Sequence, residues 1–273
     1  MHIRFKFLTT SNVKLDKGKG AGWDTVGLSL SPSTESSSDG GMNMCPNAGV
    51  CSAICLSHAG QNQLNTSKKA RVRRTLAYKE DFQLVREVAL TKFGEGRTPE
   101  ALESSEFLQG VRREITFAEA WAKANNMKLA VRPNILSDQR SLGLAIARMF
   151  PHLPVYDYTK IGLGLKKEWV GTMPENYSLT FSLDERNAVT ARNMMLLGVA
   201  NVAVVFDLGR GDDLPREWSL PNEAETTRPV VDGDVNDLRF LDPKGVFIGL
   251  RFKGSKANRA TARRLGFIYN PNV

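Results

Sequence analysis

The sequence predicts an α/β chain, read as a complete or partial (β/α) barrel with mostly parallel strands. Three observations lead there. Strand and helix patterns alternate over the second half of the chain. About seven strand candidates can be counted. No dinucleotide-type glycine fingerprint follows any of them, which favours a barrel over an open nucleotide-binding sheet. The 273 residues suffice for one large domain, and no linker rich in Pro, Gly or Ser follows residue 43, so residues 1–273 read as one unit.

Taken in order, His2 to Thr10 alternates as a strand, and Thr25 to Ser31 is a second, closed by Pro32. Residues 33–43 are polar, contain two glycines and read as a loop. A capping Asn65, Thr66 or Ser67 opens a long helix to about Lys92. A second helical stretch starts near Thr98, with Pro99 and Glu100 in its first turn, and runs to about Asn125 with a break near Gly110. Strands are then expected at 129–134, 154–160, 177–183, 201–207 and 245–253, with helices at 140–150, 187–198 and 255–265. The strand at 201–207, NVAVVFD, is apolar and β-branched enough to be buried on both faces. Residues 208–236 read as a long irregular connection.

The formal net charge is +8, which is compatible with anionic ligands or nucleic acid and is also common in proteins that bind neither. No apolar run approaches the roughly 18 residues of a membrane span. The N-terminal MHIRFKFLTT lacks the continuous apolar stretch of a signal peptide, so the cytoplasm is the expected location.

All three cysteines fall within eleven residues, in MCPNAGVCSAICLSHAG, and an odd number so close together is a poor disulfide framework. Clustered thiols in a reducing compartment more often hold metal. The spacing Cys45-x5-Cys51-x3-Cys55 on a glycine-containing loop can converge on a [4Fe-4S] cluster and leave one iron open to a substrate or another ligand. With His58 as a fourth ligand, the same loop would be a closed zinc site. Three buried free cysteines acting as small apolar residues are the bland alternative.

The strand ends of a (β/α) barrel carry its active site. The polar residues expected there are Arg132, Asn134 and Asp138, then Asp157, Tyr158 and Lys160, then Glu185 and Asn187, then Asp207, and finally Lys253 and Lys256. Arg132, Asp138, Asp157 and Lys160 are the candidate catalytic set. Asn134, Glu185 and Lys253 are the candidate cofactor contacts. Ordinary solvated loop charges explain any one of them equally well. Residues 230–245 cluster four aspartates but miss the glycine and glutamate positions of a calcium loop. They read as a capping loop from which Asp232 or Asp237 can pair with Arg239 or reach the pocket. The helix at 65–79 carries six basic residues and no acidic one. Such a face suits a phosphate backbone, although a solvated helix face is the commoner explanation.

Several stretches together, MCPNAGVCSAIC, RPNILSD, YDYTK, LTFSLDERN and VVDGDVNDLRFLDPKGVFIGLRFKG, resemble a family of poorly characterised bacteriophage gene products. The resemblance implies a phage origin and a cysteine-ligated cluster. A cysteine loop early in a (β/α) array also resembles the radical S-adenosylmethionine enzymes, which implies S-adenosylmethionine at the open iron. Their usual spacing is Cys-x3-Cys-x2-Cys with an aromatic residue before the last cysteine. Here the spacing is wider, Ile54 stands in that place, and no Gly-Gly-Glu segment is found. Two functions follow as expectations. One is an iron–sulfur enzyme with a small-molecule substrate or redox partner. The other is a nucleic-acid-binding protein with a structural zinc site.

Overall fold

The computed structural model describes residues 5–10, 12, 15–55, 57, 60–91, 99–162, 173–221 and 223–272. Nine strands form one mostly parallel sheet: β1 (Leu8–Thr9), β2 (Trp23–Leu28), β3 (Lys128–Arg132), β4 (Val155–Thr159), β5 (Tyr177–Ser182), β6 (Asn201–Phe206), β7 (Glu217–Leu220), β8 (Glu223–Asp232) and β9 (Phe247–Arg251). Their order is β1-β2-β3-β4-β5-β6-β9-β8-β7. The pairs from β2 to β6, β6 with β9, and β9 with β8 are parallel, whereas β1–β2 and β7–β8 are antiparallel. Parallel neighbours laid down in chain order are what right-handed crossovers on one side of a sheet produce. The chain is therefore a mixed α/β fold; among the described residues no strand pairing joins β1 to β7.

Seven helices are described: α1 (Asn65–Glu80), α2 (Phe82–Leu90), α3 (Glu100–Ser104), α4 (Glu106–Ala124), α5 (Arg140–Met149), α6 (Ala188–Leu196) and α7 (Lys256–Arg264). Along α4 the buried positions Phe107, Leu108, Val111, Ile115, Ala118 and Ala122 recur every three or four residues and face the sheet. Trp121 lies on its outer side. The two long helices expected before residue 125 are each divided. The first breaks at Asp81, whose carboxylate accepts hydrogen bonds from Ser105 Oγ (2.7 Å) and from the Phe107 amide (2.8 Å), so the break serves the start of α4. The second breaks at Ser105, the N-cap of α4, and not near Gly110. Gly110 stays inside the helix because Phe7 lies over it; a Cβ there would sit 2.2 Å from the Phe7 ring.

The stretch 208–236, expected to be irregular, contains the β7–β8 hairpin. Its alternation is weak because β8 is mostly half-buried or exposed, with Thr226 alone buried, so little apolar signal marks it. The expected first strand is reduced to Leu8–Thr9, with residues 1–4 outside the described residues.

The faces of the sheet are distinguished by β4. Tyr156 and Tyr158 point one way. Tyr156 packs on Phe240 (ring centroids 5.6 Å), in the short 3-10 turn Arg239–Leu241. Asp157, between them, points to the helices, where a Cβ on Gly143 of α5 would lie 2.7 Å from its Oδ2. No helix among the described residues is long and apolar enough to cross a membrane.

Candidate functional site

The cysteine loop lies across the ends of three successive strands, and each strand end supplies an anchor. After β3, the Leu136 carbonyl accepts from Cys45 Sγ (3.4 Å). After β4, the Lys160 carbonyl accepts from Asn47 Nδ2 (3.2 Å). After β5, Glu185 Oε1 accepts from the Val50 amide (3.4 Å). Buried Met44 ties the loop at its start, taking a hydrogen bond from the Asp138 amide (2.8 Å) and giving one to the Ser33 carbonyl (3.0 Å). Gly49 is favoured by its backbone: its φ is +53°, the left-handed region that side chains strain to adopt.

Cys45, Cys51 and Cys55 line a common cavity of about 170 Å³ together with Asp138, Lys160 and Arg132. None of the three is in a disulfide. Burial pushes the Cys45 thiol up to about 12 and also raises Cys51, against the nearby Lys160 cation that favours the Cys51 thiolate. Such thiols are poor nucleophiles on their own, and a bound metal is what would draw them into the thiolate form. They surround a space rather than meeting at a point. Among the described residues no group of three or more His, Cys, Asp or Glu side chains is gathered closely enough to hold a metal ion. His58 lies outside the described residues. The donor set, three thiols around a pocket with a cation beside it, suits a cluster whose sulfur ligands are spread over several irons.

A second cavity, of about 240 Å³, adjoins the first and shares Cys51, Cys55, Arg132, Tyr158 and Lys160 with it. It lies over the ends of β3, β4, β5, β6 and β9. Arg132 is 3% exposed, ion-paired to Asp237, and stacked over Tyr158 at 4.9 Å. Lys160 lies 3.4 Å from Asp184 and 5.2 Å above the centre of the Phe267 ring.

The expected polar set is thus divided. Arg132, Lys160 and Asp138 stand at the cavities. Asp138 accepts from Thr159 Oγ1 and the Lys160 amide (both 2.8 Å), and burial raises its carboxyl pKa. Lys253 sits at the rim, half exposed, 2.6 Å from Asp234. Asn134 borders the cysteine cavity, but its amide is committed to loop contacts with Gln139 and Asp157. Glu185 holds the cysteine loop. Asp157 faces the helices; it accepts from the Asn134 amide (2.8 Å), Asn134 Nδ2 (2.9 Å) and Tyr177 Oη (2.9 Å), and burial raises its pKa to about 7. The two-residue period of β4 puts Tyr158, and not Asp157, toward the cavity.

Asp237, named from the sequence as one of two aspartates able to reach the pocket, lines the larger cavity, whereas Asp184, Lys17 and Arg251 were not singled out. The aspartate-rich segment 230–245 carried the available signal. Asp232 and Asp234 hold Arg251 at 3.0 and 3.3 Å, Asp237 holds Arg132, and Arg239 pairs with Asp242 at 3.2 Å. Asp207, at the end of β6, is clasped by Arg259 and Arg263 of α7 at 2.7 and 2.6 Å, which keeps its pKa low.

Part of the basic face of α1 is turned inward. Arg71 forms a two-pronged pair with Glu35 (2.8 and 2.5 Å), and Arg74 donates to the backbone carbonyls of Lys6 and Leu8. Lys68, Lys69 and Arg73 remain exposed.

No curated protein and no solved structure matches the chain. Residues 6–270 match the family model described as Gene product 88. That match spans nearly the whole sequence, cysteine loop and strand-end residues included, and the chain belongs to the Gene product 88 family, a phage-type family of gene products.

Proposed function

We propose that this protein is an iron–sulfur enzyme acting on a small molecule or passing electrons to a redox partner. Cys45, Cys51 and Cys55, which line one cavity, would hold a [4Fe-4S] cluster and leave one of its irons without a cysteine ligand. The observation that carries the reading is that all three thiols line one cavity, which opens onto a second through shared walls. When bound, such a cluster supplies one-electron chemistry and an open iron that can ligate a substrate atom.

The chain's own residues do the rest. Arg132 and Lys160 offset the negative charge of the thiolates and orient an anionic group beside them. Asp138, whose pKa burial raises, borders the cysteine cavity as a carboxyl group that can exchange a proton there. The sheet acts as the wall of a partial (β/α) barrel with the site at its mouth. S-adenosylmethionine is one candidate for the open iron. A reducing host cytoplasm is the compartment in which such thiols persist.

The test is anaerobic purification followed by assay of iron, sulfide and zinc and a visible spectrum. About four irons and four sulfides per chain, with a broad band near roughly 400 nm, is the expected result. One zinc without sulfide overturns the reading, makes His58 the fourth ligand to examine, and moves the exposed Lys68, Lys69 and Arg73 to the front as a nucleic-acid contact.

A further inference from the structure

The larger strand-end cavity has an unusual charge balance. Five cationic side chains line it, Lys17, Arg132, Lys160, Arg251 and Lys253, against one carboxylate, Asp237. The carboxylates that answer Lys160, Arg251 and Lys253 are Asp184, Asp232 and Asp234, which are absent from the cavity lining. Lys17 donates only to the Asp234 backbone carbonyl in the contacts described. Counting pairs, five cations meet four carboxylates, so one positive charge is left without a carboxylate of its own.

The second observation is Arg132 itself. It is 3% exposed, its Nη1 meets Asp237, and its buried Nε has no hydrogen-bond acceptor. A buried guanidinium donor without an acceptor is costly, and an oxygen of a bound anion would satisfy it. The remaining walls are apolar. Leu183, Val205, Leu250, Phe252 and Phe267 face the same space. An inorganic ion would leave these walls unused, whereas a neutral apolar molecule would leave the cations unused.

We infer that this cavity binds a small organic anion, a carboxylate or phosphate ester with a compact apolar body. Its acidic group lies among Arg132 and the rim cations, and its body rests against Phe267 and Val205. This deepens the functional reading above and rests on it only for what the bound molecule reacts with. Because the cavity shares Cys51 and Cys55 with the cysteine compartment, a molecule so held lies directly beside the proposed cluster.

The test uses the full chain, purified without oxygen, and four probes: benzoate, phenyl phosphate, benzyl alcohol and inorganic phosphate. Calorimetric titration is expected to show that an aromatic anion binds at least about tenfold more tightly than benzyl alcohol and than inorganic phosphate. Benzoate against phenyl phosphate decides which acid is preferred. Lys17→Met and Lys253→Met alter the rim without touching the core, and each is expected to weaken the anion about tenfold with an unchanged circular dichroism spectrum. Equal binding of benzoate, phenyl phosphate and benzyl alcohol overturns the inference. So does parent-like anion binding in both variants, or the absence of saturable binding at millimolar concentration. Iron and sulfide are assayed on the same samples. Anion preference without a cluster supports this site and sinks the iron–sulfur reading; a cluster without anion preference does the reverse.

Discussion

Arg132 and Asp237 stand 105 positions apart in the chain and form a buried ion pair on the floor of the strand-end cavity. One comes from the end of β3 and the other from the segment between β8 and β9, so the pair ties the two sides of the cavity together. Removing one partner leaves a buried charge without its counterion. Asp237→Ala is expected to cost about 3–5 kcal/mol in urea unfolding. The double variant Arg132→Met/Asp237→Leu is expected to recover much of that loss while abolishing anion binding. If Asp237→Ala is as stable as the parent, the pair is not the tie described.

Asp157 makes stability depend on pH in the direction opposite to most carboxylates. Its pKa of about 7 in the folded chain lies above the ordinary 3.8, because burial disfavours the carboxylate. Between those values the folded chain binds more protons than the unfolded one. Stability therefore falls as pH rises from about 4 to about 7 and levels off above, by on the order of 4 kcal/mol. Asp242, raised by burial to about 6, adds the same sign over the lower part of that window. Asp207 and Asp234 have lowered pKa values, so their contribution is present above 3.8 and is lost only in more acid solution. Urea midpoints between pH 4.5 and 7.5 should decline for the parent and lose most of that slope in Asp157→Asn; an identical slope would refute the assignment.

The three cysteines should behave as a unit. Each of Cys45→Ser, Cys51→Ser and Cys55→Ser is expected to lower iron per chain and the visible absorbance several-fold, with the far-ultraviolet circular dichroism spectrum largely retained. His58→Ala should leave iron unchanged. Retention of full iron in any two of the serine variants would remove the cysteines from the site.

Gly143 lies where Tyr177 and Asp157 meet. A Cβ there would fall 2.1 Å from the Tyr177 hydroxyl and 2.7 Å from Asp157 Oδ2. Gly143→Ala is expected to destabilise by about 2–3 kcal/mol. Tyr177→Phe removes the nearer atom, so the double variant should cost less than the sum of the two single ones. Strict additivity would show that the helix shifts freely and that the contact is not tight.

The local signals in the chain were strong where a single element decides them. The β-branched run NVAVVF marks a doubly buried strand, and β6 lies mid-sheet with its pairs parallel on both sides. Ser105 and Asp81 show the opposite case. Each reads as an ordinary helix residue until the other is placed beside it, and only then do two long helices become four. The hairpin 217–232 escaped notice because only Trp218, Leu220 and Thr226 of its strand residues are buried, too few to leave a two-residue imprint along the longer strand.

For the candidate site, composition and spacing sufficed to single out Cys45, Cys51 and Cys55, since clustered thiols carry their meaning locally. The strand ends were also legible, because the strand–helix alternation marks them. Which polar side chains face the cavity was not. Asp157 and Tyr158 are neighbours in sequence, and the pleat sends them to opposite faces, a choice set by register against β3 and β5. The counterions of Arg132 and Arg251 come from an aspartate-rich segment, 105 positions beyond the first and 17 and 19 positions before the second. Covalent neighbours and periodicity determine elements. Ion pairing in a buried space is decided by distances that exist only once the sheet has brought remote strand ends to one mouth.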